Sequence, residues 1–310
     1  MSDWKLKTPV AFFIFKRPDT TEKVFLEIAK AKPPKLFVVA DGPREDKPGE
    51  AQACAAARAI ITRVDWDCEV LTNFSDVNIG GPRRFPSGLD WVFNQVEEAI
   101  ILEDDCFPHP TFFRFCEELL ERYRDDERVA MLSGDNFRFG RKRTAYSYYF
   151  SRYTHIWGWA TWRRAWKNYD AGMKAWPEIR DGGWLHDFLD DKRAVRYWSG
   201  IFNDIYTGKR NHWDYRWTFT CWQHGALTIL PNVNLVSNIG FGEYATNTKG
   251  ENIFSAMKTE PMEFPLIHPP FLLRDSEADT FTERNLFPNT TFTSELKGIL
   301  YNFLVKIGIK

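Results

Sequence analysis

The chain has 310 residues, enough for one large α/β domain or two smaller ones with a sizeable core. Its 41 Lys and Arg against 42 Asp and Glu leave a formal net charge of −1, so no overall field favours nucleic acid or an anionic membrane. The five cysteines (Cys54, Cys68, Cys106, Cys116, Cys221) have neither CxxC nor Cys/His zinc spacing, which fits reduced thiols. Met1 to Lys7 has no apolar signal core, and no stretch reaches the ~18 apolar residues of a spanning helix. The expectation is a cytoplasmic protein.

In chain order, Val10 to Phe15 is a continuous apolar run that ends at Lys16-Arg17-Pro18. Unbroken apolar runs read as strands buried on both faces, the pattern of a parallel sheet. Asp19, three residues before Glu22, opens a helix predicted through about Ala31. Leu36 to Ala40 is a second buried strand, ending at Asp41-Gly42-Pro43-Arg44. A helix over roughly Glu50 to Val64 and a strand near Cys68 to Leu71 follow. Strands alternating with helices argue for right-handed βαβ units, with ligands across the carboxyl ends of the strands. The Gly-rich stretch Asn78 to Asp90 matches no phosphate-binding fingerprint and reads as a surface loop, although Arg83 and Arg84 within it suit phosphate.

Ala99-Ile100-Ile101-Leu102 then runs into Glu103-Asp104-Asp105. Three adjacent carboxylates at a buried strand end repel one another, and a hard divalent cation carrying a phosphate substrate would relieve that repulsion. The competing reading is a helix start, with Asp104 or Asp105 as cap or first-turn charge. An amphipathic helix over Phe112 to Arg124 and a strand over Val129 to Ser133 complete this part.

From about residue 136 the texture is aromatic and basic. Thirteen Trp and an aromatic fraction of 16% are high, and some of these rings are candidates to line a ligand groove. The densest stretch is His155-Ile156-Trp157-Gly158-Trp159-Ala160-Thr161-Trp162. Residues 184–224 read as helices, the last carrying Trp213-Asp214-Tyr215-Arg216-Trp217. Leu227 to Leu230 returns as a strand, Asn238 to Gly242 is a loop, and 259–290 reads as Pro-rich irregular chain. Thr293 to Ile309 is an amphipathic, lysine-bearing helix, docked on the body or lying peripherally on a membrane surface.

The order of these features resembles the GT-A fold of nucleotide-sugar glycosyltransferases. More narrowly, Leu102-Glu103-Asp104-Asp105 is similar to the acidic segment of the N-acetylglucosaminyltransferase I branch. The two tryptophan blocks are similar to those of bacterial glycosyltransferases of unassigned substrate. The likeness spans roughly residues 8–245 and implies an α/β, Rossmann-like, mostly parallel sheet flanked by helices. Residues 1–135 would form the nucleotide-sugar half, 136–250 the Trp-rich acceptor and catalytic half, and 251–310 a C-terminal extension with its helix.

Carried over by position, the resemblance implies that Asp105 ligates Mn²⁺ or Mg²⁺ on the diphosphate of a UDP-sugar. Asp104 and Glu103 would hydrogen-bond the ribose and donor sugar, Asp41 the uracil, and Arg17 would approach the diphosphate, for which Arg84 is a further candidate on residue type alone. Asp214 would be the catalytic base, and Trp157, Trp159 and Trp213 would contact a glycan, lipid-linked or small-molecule hydroxyl acceptor. The implied reaction is inverting single displacement. One departure concerns Ala245-Thr246-Asn247-Thr248, where similar bacterial sequences often place a His in the position of Asn247. The third metal ligand is therefore open between Asn247, water with diphosphate, and the distant His268. A nucleotidyltransferase or phosphoesterase, and a carbohydrate-binding protein on a degenerate transferase fold, are the alternatives.

Overall fold

The computed structural model describes residues 4–240 and 257–287. In chain order the strands and helices are β1 (Val10–Ile14), α1 (Pro18–Ala31), β2 (Lys35–Ala40), α2 (Glu50–Ala59), β3 (Glu69–Phe74), α3 (Gly81–Phe93), β4 (Glu98–Glu103), β5 (Cys106–Pro108), α4 (Thr111–Arg122) and β6 (Val129–Ser133). They continue with β7 (Tyr148–Ser151), β8 (Trp159–Trp162), α5 (Arg163–Trp166), α6 (Trp176–Asp181), α7 (Leu185–Phe188), α8 (Lys192–Tyr206), α9 (Trp213–Gln223), β9 (Leu227–Pro231), β10 (Val236–Asn238) and α10 (Ser276–Leu286).

Eight strands form one sheet in the order β3-β2-β1-β4-β8-β6-β9-β7, and β5 and β10 pair separately. Six of the eight run the same way, while β8 and β7 run against them. The architecture is mixed α/β, with a large, mostly parallel sheet between helices. Strands from before and after residue 135 share this sheet, because β8 is inserted between β4 and β6.

Alternation along each strand divides the core. Val10, Phe12 and Ile14 of β1 face α1 and α4, whereas Ala11 and Phe13 face α3, α8 and α9. In β4, Ile100 and Leu102 take the first side and Ala99 and Ile101 the second, which aims Glu103 toward α3 and α9. The first helix starts one residue before the predicted Asp19, because Pro18 occupies its first turn, where a missing N–H costs no hydrogen bond.

Two sequence expectations are corrected. The stretch read as a surface loop over Asn78 to Asp90 is mostly α3. Pro86 inside that helix costs about 3 kcal/mol. Burial of Phe85, Leu89, Val92 and Phe93, at roughly 1.5–3 kcal/mol each, outweighs it. Gly88 lets the helix sit close on the sheet: a Cβ there would lie 2.7 Å from the Phe13 ring and from Val39 Cγ1.

The irregular reading of 259–290 overlooked α10, whose N-cap Asp275 accepts from the amides of Glu277 and Ala278 at 3.1 and 3.0 Å. Buried Asp279 on α10 then pairs with Arg152 at 3.3 Å and Arg274 at 3.2 Å. The dense tryptophan stretch contains β8, for which no strand was expected. Asn247 and the Thr293 to Ile309 helix lie outside the described residues. Among the described residues, no helix is long and apolar enough to cross a membrane.

Candidate active site

The site forms at the carboxyl edge of the sheet, where β1 and β4 end side by side. Parallel pairing sets Phe13 opposite Glu103, so the residues that follow each strand meet. Asp104 is buried and accepts from the Phe15 amide at 3.1 Å and from the Arg17 guanidinium. The same guanidinium lies 2.9 Å from Asp105 Oδ2, so Arg17 is the counter-charge for both aspartates.

Protonation follows from this crowding. Burial pushes Asp104 up to about 6, and the pull of Arg17 in the other direction does not cancel it. Burial also opposes the charge on Arg17, but Asp104 and Asp105 outweigh it and hold the guanidinium above its usual value. Glu103 is raised well above the carboxylate range, first by burial, then by Asp105 and Asp104, and also by Asp214. That last influence places Asp214, from a distant part of the chain, within electrostatic reach of the acidic strand.

Stacked rings bring it there. Phe13 stacks on Phe85 at 4.1 Å between centroids, and Phe85 stacks on Trp213 at 3.9 Å. Trp213 opens α9, so the next residue, Asp214, is carried to the strand end by β1 and α3 together. Burial raises the Asp214 carboxyl above its ordinary value, and His212, with Nδ1 at 3.8 Å, works against the shift. Asp214 still exposes 30% of its side chain, as a concave, protein-lined position allows.

The loop after β10 closes over the acids. Ile239 donates its amide to the Asp105 carbonyl at 2.8 Å. A Cβ on Gly240 would come within 2.2 Å of Asp105 Oδ2 and 2.6 Å of an Arg17 Nη. Only glycine keeps that carboxylate clear, a role that could not be read from the loop sequence.

Other predicted residues sit differently. Asp41 is buried, with Oδ1 accepting from Gly42 and Ile79 amides at 3.0 Å each and Oδ2 from the Gly80 amide at 2.8 Å. It ties the loop before α3 to the end of β2, and one Oδ2 lone pair is left for a ligand. Exposed Val77 and Ile79 flank it as apolar surface. Arg84 is buried and donates to the Ala40 carbonyl at 3.2 Å, the Asn73 side chain at 2.8 Å and the Asn73 carbonyl. Its guanidinium staples the ends of β2 and β3, and burial lowers its pKa.

Trp213 is almost wholly enclosed by its stack, while Trp157 is half-buried at the edge. Trp159 corrects the expectation of acceptor contact. It is 0% exposed in mid-sheet against Trp213 and Trp217, and so belongs to the core. His268 is held by Tyr148 at 3.0 Å and Glu118 at 3.4 Å, on the side of α4 and β7.

No group of three or more His, Cys, Asp or Glu side chains is spaced to cage a metal among the described residues. The donor set still fits Mg²⁺ or Mn²⁺ of the kind held by one or two carboxylates and completed by substrate phosphate and water. Asp105 offers a hard oxygen, partly exposed, in the space that Gly240 leaves clear.

No family model matches the chain, and no curated protein matches it. Among solved structures, it is similar to residues 1–349 of S. aureus TarS at 12% identity and a TM-score of 0.36, covering 54% of this chain. The match spans half of that structure's length. It is also similar to a CMP:2-keto-3-deoxy-manno-octonic acid synthetase complexed with CTP, at 13% identity and a TM-score of 0.36, covering 72% of this chain and 89% of that one. A UDP-glucose pyrophosphorylase complexed with UDP-glucose aligns at 11% identity and a TM-score of 0.25, over 43% of this chain and 64% of that one.

Proposed function

We propose that this chain is a GT-A glycosyltransferase that moves a sugar from a UDP-sugar to a hydroxyl acceptor, with inversion. The observation that carries the reading is the approach of Asp214 to electrostatic reach of Glu103, with its helix start held by the Phe13–Phe85–Trp213 stack.

In this reading the diphosphate lies against Arg17 and Asp105, and the base sits at the Asp41 end, against Val77 and Ile79. Asp105 would hold Mn²⁺ or Mg²⁺, which when bound would supply positive charge toward the leaving diphosphate. Asp104 anchors Arg17 in place. Glu103, whose pKa is raised by burial and its acidic neighbours, would hydrogen-bond the donor sugar. Asp214 accepts the proton of the acceptor hydroxyl as its oxygen bonds to the anomeric carbon and the bond to the diphosphate breaks. A carboxylate with a raised pKa is a stronger base than a solvated one, which suits that step.

Calorimetric titration with UDP, with and without Mn²⁺, tests the reading. Metal-dependent UDP binding is expected, and its absence would overturn the assignment.

A further inference from the structure

The outer edge of β7 is bordered by a segment held against it at two points. Ser147 donates its amide to the Ile267 carbonyl at 2.8 Å, and the Ile267 amide donates to Ser147 Oγ at 2.9 Å. Further along, Arg274 bridges Phe150 in parallel, and the Asp275 amide donates to the Phe150 carbonyl at 2.8 Å. The chain from Ile267 to Arg274 thus runs beside only the stretch from Ser147 to Phe150. Three steps of strand advance ~10 Å, and seven steps of extended chain span more than twice that. The excess length bows out as a bulge, stiffened by Pro269 and Pro270, whose rings fix φ.

The bulge is apolar where it meets water. Ile267, Phe271 and Leu273 are 54%, 48% and 69% exposed, and they are three of the nine large apolar side chains exposed among the described residues. Tyr146, just before β7, meets the Phe271 ring edge-on at 6.0 Å. Single exposed apolar residues are ordinary, but a cluster on one short loop marks a contact surface.

Positive charge borders the cluster. Arg141, Lys142 and Arg143 are all exposed. Arg143 reaches Asp275 at 3.3 Å, which sets the basic run beside Leu273. Arg141 lies over the Phe281 ring at 4.8 Å, and among the described residues neither it nor Lys142 has a carboxylate partner. The acids at the start of α10, Asp275 and Glu277, face buried Arg138 at 3.6 Å each. Because β7 runs against β9, with Tyr148 opposite Pro231, its start lies at the carboxyl edge of the sheet, the edge that carries Glu103-Asp104-Asp105.

We propose that the 267–273 bulge and the Arg141-Lys142 run form a docking surface for a membrane that carries anionic lipid. In such a bilayer an apolar layer lies directly beneath a sheet of negative charge. Phe271 and Leu273 enter the headgroup boundary, and the basic residues beside them meet lipid phosphates. The net charge of −1 does not oppose this, since charges beyond a Debye length are screened and the local run decides. The surface stands on its own geometry and does not depend on the transferase reading.

The test is co-sedimentation of the full chain with vesicles of phosphatidylcholine alone and of equal parts phosphatidylcholine and phosphatidylglycerol. The expected result is binding to the anionic vesicles that weakens as salt is raised. Arg141→Gln with Lys142→Gln should lower that affinity about 25-fold, roughly five-fold for each charge. Phe271→Ser with Leu273→Ser should lower it at least ~10-fold. Circular dichroism and thermal unfolding check that each pair keeps its fold, and the salt dependence is read on the wild type alone. No binding to anionic vesicles, equal binding to neutral ones, or wild-type affinity in either pair overturns the docking surface. Light scattering adds one more arm: self-association without vesicle binding, abolished in both pairs, would overturn it in favour of a contact between two copies of this chain.

Discussion

Two charged strand ends share one edge of the sheet, and their fates differ. After β2, Asp41 is met by three backbone amides, while Arg84, reaching over from α3, donates to two carbonyls and the Asn73 side chain. After β4, Glu103, Asp104 and Asp105 meet mainly one another, Arg17 and the distant Asp214. Backbone partners satisfy most of a carboxylate's acceptor capacity and make it chiefly architecture, with at most a neutral hydrogen-bond donor left to meet. Charges left to face other charges keep shifted proton affinities and a need for a counter-ion, which is what a diphosphate and a cation would supply. A charge at a strand end therefore says where the edge is, and the partner it finds says whether it is chemistry.

The largest effects should come from the unsatisfied end. Asp214→Asn is expected to reduce transfer at least ~100-fold while UDP affinity stays unchanged, read from product formation and calorimetry. Near-normal transfer would remove Asp214 as the base. Asp105→Ala should abolish the metal-dependent part of UDP affinity, and an unchanged titration would mean that the cation is held elsewhere. Gly240→Ala should weaken the same metal-dependent binding with Asp105 still in the sequence, since its methyl needs space occupied by the carboxylate and Arg17. Equal affinity in that variant would show that the loop yields freely.

Much of the donor edge was legible because buried parallel strands are unbroken apolar runs, and their ends stand out as charges followed by Gly or Pro. Leu102-Glu103-Asp104-Asp105 is such a case. Composition hid α3, since two glycines and two prolines outvote an apolar stripe whose value depends on Phe13 and Trp213, far away in sequence. Trp159 and Trp157 could not be told apart either. Two residues separate them, yet one lies in mid-strand between partners and the other at the sheet edge. The signal for α10 was present: Asp275-Ser276 with Glu277 following is an N-cap with first-turn charge.

At the satisfied end the expected losses are of stability. Arg84→Met should cost about 1–3 kcal/mol in urea unfolding, because the Ala40 and Asn73 carbonyls lose a buried donor. If donor affinity falls as well, to a degree that lost folding does not explain, Arg84 contacts the diphosphate after all and the contrast between the two ends weakens. Gly88→Ala should cost a similar amount, roughly 1–3 kcal/mol, through the clash with the Phe13 ring. It tests whether the stack that carries Asp214 tolerates displacement of α3.

The smallest effect concerns the charge beside the base. In the proposed reaction Asp214 works only when deprotonated, and burial raises its pKa, so kcat/KM should fall on the acid side at a pH above that of an ordinary carboxylate. The neighbouring His212 works against that shift. Removing it in His212→Ala should move the acid limb to higher pH. The displacement should be on the order of half a pH unit, matching the ~0.7 kcal/mol of a solvent-exposed pair. The direction is the informative part: a limb moving to lower pH would mean that the group titrating there is not a carboxylate stabilised by a neighbouring cation.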